Sequence, residues 1–203
     1  MSLVYRLAQI SIRLAGWLLG WKVIGRENVP SGPALIASNH ISNYDPPMLG
    51  AVLSMRVFYF AKIELFRNRA IGWFLRGVHA FPAKRGAADK QAWKQSQEVL
   101  KRGDQLIFFP EGTRSKDGEL QSGQPGLARL AFATGAPVVP AAICGSNRIR
   151  DVLFRRAKLR VGFARPIFLS DYDSPENDKA RYDKLTTDVM AAIRRLKTEI
   201  EAT

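Results

Sequence analysis

Four short and almost purely apolar runs constrain this chain more than any other feature of it. They are Ala34-Leu35-Ile36-Ala37, Gln105-Leu106-Ile107-Phe108-Phe109, residues 138–143 and residues 159–163. Such runs are too short for buried helices and too continuous for half-exposed strands, so they read as strands covered on both faces. Residues 56–61 and 78–83 read as further strands. Between them fall helical segments at 48–53, 64–75, 88–101 and 127–134. A last helix over 175–202 carries Tyr182, Leu185, Val189, Ile193, Leu196 and Ile200 on one stripe. This alternation predicts one α/β domain, residues 25–203, around a mixed, largely parallel sheet flanked by helices. No internal repeat argues for a second domain in 203 residues.

Ahead of that domain, residues 1–24 form a separate unit. Leu3, Leu7, Ile10, Leu14, Trp17 and Trp21 fall on one stripe of a helix over 3–24, with Arg6, Gln9, Arg13, Gly16 and Gly20 on another. A helix lying in a membrane interface has this pattern, and so does a terminal helix that covers a core. Arg6 and Arg13 argue against spanning, as does the lack of an uncharged apolar run of about 18 residues. No small-residue cleavage site follows, so no secretory signal is read.

The net charge of +13 is uneven, because the chain from Ser170 onward is slightly acidic and the first 169 residues carry +15. Such a body calls for an anionic partner: nucleic acid, an anionic membrane surface or a phosphorylated substrate. The run Arg148, Arg150, Arg155, Arg156, Lys158, Arg160 and Arg165 holds one acid, Asp151. It reads as a solvated charge run or an anionic-surface contact. No nucleic-acid-binding pattern accompanies it, so nucleic acid is not the expected partner.

Chemistry concentrates where apolar runs end. Asn39-His40-Ile41-Ser42-Asn43-Tyr44-Asp45-Pro46-Pro47 joins a strand to a helix, with Asp45 at the expected N-cap and Pro46 in the first turn. On one helix a His and an Asp five residues apart would diverge; across such a junction they can meet, as an imidazole base held by a carboxylate. Phe109-Pro110-Glu111-Gly112-Thr113-Arg114-Ser115 places a carboxylate, a glycine, hydroxyls and an arginine at the next strand end. Arg114 suits a phosphate, although the segment also suits a polar turn. Arg85 follows a third strand end. His79 is read as structural, and Cys144 has no adjacent base. Two histidines and one cysteine, far apart, give no metal-ligand spacing.

Asn39-His40 with Asp45, followed by Phe109-Pro110-Glu111-Gly112-Thr113-Arg114-Ser115, resembles the NHx4D and FPEGTRS motifs of the glycerolipid acyltransferase family, most closely its bacterial 1-acylglycerol-3-phosphate acyltransferases. Ala80-Phe81-Pro82-Ala83-Lys84-Arg85 is similar to that family's second block, with His79 where a glycine usually stands, and Val138-Val139-Pro140 to its fourth. The resemblance runs from about residue 25 to 168.

It implies transfer of an acyl group from an acyl-CoA or acyl-carrier-protein thioester to lysophosphatidic acid, forming phosphatidic acid. His40 would be the general base and Asp45 its orienting carboxylate. Arg85 and Arg114 would hold the phosphate, in a pocket shaped by Glu111, Gly112 and Thr113. No metal or other cofactor is expected. The protein would be monotopic or peripheral on the cytoplasmic face of the membrane. Related acyltransferases acting on another lyso-lipid or on glycerol 3-phosphate share these motifs, and a basic membrane-binding module without activity is the competing class.

Overall fold

The computed structural model describes residues 2–84, 89–172 and 178–203. Helix α1 (Leu3–Leu18) is followed by strand β1 (Lys22–Ile24) and then by β2 (Ala34–Ser38), α2 (Asp45–Val52), β3 (Val57–Lys62) and α3 (Arg69–Gly77). After these come β4 (Ala80–Ala83), α4 (Lys90–Lys101), β5 (Gln105–Phe108), α5 (Gly126–Thr134) and β6 (Val138–Cys144). The chain ends with α6 (Ile149–Leu153), β7 (Arg160–Phe163) and α7 (Asp178–Glu201).

One seven-stranded sheet runs in the order β1-β7-β6-β2-β5-β3-β4. The five strands from β6 to β4 are mutually parallel, and β7 joins β6 antiparallel with β1 parallel beside it. The expected α/β domain with a mixed, largely parallel sheet is thus what forms. All four apolar runs are central strands: β2 and β6 are buried throughout, and β7 likewise. Because β6, β2, β5, β3 and β4 point the same way, their carboxyl ends share one edge. The segments after Ser38, Phe108, Lys62, Ala83 and Cys144 leave the sheet there.

Three local expectations need correction. The first helix stops at Leu18, and Lys22–Ile24 adds a strand to the sheet. The segment 64–75 is not one helix: a 3-10 turn (Ile63–Arg67) ends at Asn68, whose side chain accepts from the N–H groups of Ala70 and Ile71 and starts α3. An asparagine with that bonding is an N-cap, which outweighs the apolar continuity across it.

Asp45, third, does not cap its helix. Tyr44 precedes α2 without a side-chain cap. Pro46 and Pro47 have no N–H, the Asp45 N–H bonds Ser42 O (3.3 Å), and the Met48 N–H bonds Tyr44 O (3.0 Å). The first turn therefore presents little that needs a capping acceptor, and the carboxylate is free to face backward.

Helix α1 docks in an inverted sense. Its polar stripe faces the protein, where Gln9 donates to Gly50 O (2.9 Å) and Arg13 to Leu53 O (3.2 Å) and to Ala51 O. Those are the terminal carbonyls of α2, which lack partners within their own helix. The Trp21 ring sits against Gly16, where a Cβ would overlap it. The apolar stripe of α1 points to solvent, with Leu7 55% and Trp17 75% exposed.

Candidate active site

Strand β2 delivers Asn39 and His40 to the carboxyl edge. The Asn39 amide bonds both backbone groups of Ile143, donating to its carbonyl (2.9 Å) and accepting from its N–H (2.8 Å). A side chain thereby replaces the ladder as β2 leaves β6. His40 is fixed at four points. Its N–H donates to Glu111 Oε1 (2.9 Å), its carbonyl accepts from the Ser115 N–H (2.8 Å), and its ring stacks on Phe109 with centroids 4.0 Å apart. The fourth contact joins Nδ1 to Asp45 Oδ2 at 2.8 Å.

Asp45 is fully buried, and four donors converge on it. Oδ2 accepts from His40 Nδ1 and from the N–H groups of Ile41 and Ser42, both at 2.7 Å, and Oδ1 accepts from the Ser146 hydroxyl. These bonds compensate for the hydration a buried carboxylate loses. They also assign the proton to Nδ1, which leaves Nε2 as the acceptor nitrogen. A neutral imidazole held in that tautomer is suited to take a proton from a hydroxyl.

Two cavities meet at this ring. The larger, about 500 Å³, is lined by His40, Lys62 and Arg114 together with apolar residues of α1, α2, β3 and α3. It lies between α1 and α3, beside the exposed side chain of Phe74. The second, about 370 Å³, runs from His40 past Phe60, Phe108 and Gly112 to Trp93 and Leu130. Both volumes fall in the range of small-molecule sites.

The predicted site residues separate into groups. His40 and Asp45 form the expected pair. Arg114 reaches the larger cavity, Gly112 (φ +69°) the second, and Thr113 is exposed outside both. Glu111 lines neither cavity. It is buried behind the histidine, bonding the N–H groups of His40 and Gln121 (3.1 Å), and burial pushes its carboxyl above the usual value against those two bonds. Arg85 lies outside the described residues.

Sequence reasoning missed Lys62, whose only signal was its place at a strand end, because the strand was expected to stop at residue 61. Ser146 was missed as well; nothing local marks it, since its contact with Asp45 spans 101 residues. His79 is structural but not partnerless, with its ring between those of Tyr5 and Phe58 at 4.2 and 4.8 Å. Its φ of +65° shows why glycine suits the position. No cluster of three or more His, Cys, Asp or Glu fit to hold a metal occurs among the described residues. No helix among them is long and apolar enough to cross a membrane.

The 1-acyl-sn-glycerol-3-phosphate acyltransferase of Bacillus subtilis is 32% identical over 90% of this chain and 90% of its own length. The chloroplastic 1-acyl-sn-glycerol-3-phosphate acyltransferase LPAT1 of Arabidopsis thaliana is 36% identical over 73% of this chain, which spans under half of that longer protein. In fold, the chain matches the crystal structure of the 1-acyl-sn-glycerophosphate (LPA) acyltransferase PlsC from Thermotoga maritima. The TM-score is 0.74 at 24% identity, over 98% of this chain and 81% of that one. The Acyltransferase family model matches residues 20–144, from the end of α1 to the end of β6. With the His40–Asp45 pair and the arginine turn both inside the matched region, the chain belongs to the acyltransferase family.

Proposed function

We propose that the protein transfers a fatty acyl group from a thioester to the free hydroxyl of 1-acylglycerol-3-phosphate, giving phosphatidic acid. The observation that carries this reading is the meeting of two largely apolar cavities at one oriented imidazole. A reaction that joins two long-chain substrates needs two such cavities and one base. The larger cavity suits the acceptor, because Arg114 joins Lys62, which lines both cavities, in supplying cations for its phosphate. The second suits the donor's acyl chain. Arg85, outside the described residues, belongs to the same phosphate-binding proposal.

His40 Nε2 takes the hydroxyl proton as the acceptor oxygen attacks the thioester carbonyl. Asp45 holds the ring and stabilises the imidazolium. When the tetrahedral adduct collapses, the C–S bond breaks and the thiolate leaves with the imidazolium's proton. No covalent acyl-enzyme is required, and Cys144 is unsuited to form one because burial pushes its thiol up to about 12. Glu111 acts through the backbone, holding the turn that presents His40. The acyl donor is acyl-CoA or acyl-carrier protein, with no further cofactor.

The protein works as a monotopic or peripheral enzyme on the cytoplasmic face of the membrane. Helix α1 is the interfacial unit, and the domain that begins with β1 is the catalytic one. The outward apolar stripe of α1 and the exposed apolar side chains of α3 support this placement.

The test is thiol release by the purified protein, given lysophosphatidic acid with acyl-CoA or acyl-carrier protein. Release matched by phosphatidic acid is expected, with a smaller response to glycerol 3-phosphate. No release with either donor contradicts the reading. Replacing Arg114 with Ala should raise KM for lysophosphatidic acid; an unchanged KM removes Arg114 from the phosphate site.

A further inference from the structure

The arginine-rich segment after β6 takes no part in the site described above, yet it is built. Helix α6 ends in Leu153 and Phe154, which are 62% and 68% exposed. The turn behind them is fixed: the N–H groups of Arg156 (2.7 Å) and Ala157 (3.2 Å) both donate to Asp151 O, and Arg155 adopts φ +58°. Arg150, Arg155 and Arg156 surround this tip without an acidic partner among the described residues, and Arg156 lies over the Phe154 ring at 5.9 Å. Two exposed apolar side chains ringed by unpaired guanidinium groups do not pack a core. Headgroups and acyl chains together would satisfy both.

Next to the tip's Arg156, among the 117–119 turn, the end of β6, the start of β7 and the end of α7, lies a cavity of about 430 Å³. Its cations are not equivalent. Lys197 is engaged by Glu201 (3.1 Å), Arg148 by Asp151 (2.9 Å) and Lys158 by the Thr203 carbonyl (3.0 Å). Arg156 has no acid, and Arg160 is only 5% exposed with its Nε–H unpartnered. The two acids nearest the rim, Asp117 and Glu119, leave the lining with more positive than negative groups. A buried guanidinium N–H without an acceptor is costly, and an anionic oxygen is the acceptor it lacks. Ile41, the residue after His40, shares this lining, so the cavity opens on the catalytic edge of the sheet.

We infer that this cavity and the α6 tip form a second bilayer contact, which takes the phosphate of an anionic phospholipid headgroup onto Arg156 and Arg160 while Leu153 and Phe154 enter the acyl region. The inference rests on the proposal that the enzyme works at a membrane, and it adds a headgroup site apart from the acceptor cavity. Charge complementarity selects the occupant: a zwitterionic headgroup already carries a cation beside its phosphate, whereas an anionic one leaves its charge to the guanidinium groups.

The experiment is co-sedimentation of the full chain with phosphatidylcholine vesicles, with and without phosphatidic acid or phosphatidylglycerol. Arg156→Gln and, separately, Arg160→Gln should each lower partitioning onto anionic vesicles by roughly fivefold, the effect of one cation near such a surface. Neither should alter partitioning onto neutral vesicles. Phe154→Ala should lower both. Arg194→Gln, an exposed arginine on α7, is the control for general charge. If the thermal transition of Arg160→Gln is lost, Arg156→Gln carries the test alone.

Partitioning of Arg156→Gln equal to that of Arg194→Gln overturns the inference. So does a rise in KM for acyl-CoA with vesicle binding unchanged, which assigns the cavity to the donor's phosphates. Turnover of a water-soluble short-chain lysophosphatidic acid without vesicles is measured in parallel. It should be unchanged in the tip variants. Its absence in the wild type would count against the acyltransferase reading and leave the vesicle result standing.

Discussion

Helices α1 and α7 carry the same sequence signal and meet opposite fates. Each has a stripe of large apolar residues at helical spacing. In α7 the stripe is interior: Leu185, Val189, Ile193 and Ile200 are buried against the sheet. In α1 the matching stripe faces outward, while Gln9 and Arg13 face in and bond the last carbonyls of α2. Periodicity therefore establishes that a helix has two faces. It does not say which face the protein uses. What decides is the surface beneath: α7 lies on apolar strands, whereas α1 crosses a helix end whose carbonyls need donors. An apolar stripe left outside by a protein that had polar bonds to make is a surface for another phase.

That contrast can be broken by substitution. In α7, Ile193→Ala should cost about 2–5 kcal/mol in urea unfolding, since the side chain is enclosed and leaves a cavity. A cost near zero would mean that α7 is not the core helix described here. On the inward face of α1, Gln9→Leu should cost about 1–3 kcal/mol, because an apolar replacement leaves Gly50 O without its donor. If Gln9→Leu stabilised the protein, the inverted docking would be wrong.

On the outward face, the paired change Leu7→Ser and Leu14→Ser should leave stability within about 0.5 kcal/mol, the ordinary range for surface sites. It should instead move protein from the vesicle pellet to the supernatant. Loss of stability without loss of vesicle binding would make α1 an ordinary covering helix.

The smallest effect concerns the stack that seats α1. Burial, then the Arg56 charge, lowers the His79 pKa from its ordinary 6.5, so the folded state binds this proton less readily than the unfolded chain. Stability attributable to His79 is thus intact above pH 6.5 and declines as the pH falls below it. The slope of stability against pH below 6.5 should be shallower in His79→Phe, which keeps a ring between Tyr5 and Phe58. Identical slopes would remove the histidine from that dependence.

Most of the sheet was legible because central parallel strands are apolar throughout and leave little ambiguity. Strand β1 was not, since three exposed residues at a sheet edge carry no such pattern. The His40–Asp45 pair was legible from its spacing across a strand–turn–helix junction. The contacts that hold the pair in place were not. Asn39 bridges to Ile143 and Ser146 reaches Asp45 across the fold, contacts that no local rule supplies. The contacts of Glu111 were illegible for a related reason. A carboxylate in a motif beside an arginine suggests a ligand pocket, whereas the folded chain uses it to hold a backbone N–H behind the histidine. The apparent N-cap at Asp45 was a sound local reading, undone by the two prolines that removed the donors it would have bonded.

The account stands most directly on His40. Thiol release with lysophosphatidic acid and a saturating thioester donor should fall about 10²–10⁴-fold in kcat for His40→Ala, the usual contribution of a positioned base, while its thermal transition stays within a few degrees of the wild type. A folded His40→Ala protein that retains the wild-type kcat would contradict the account.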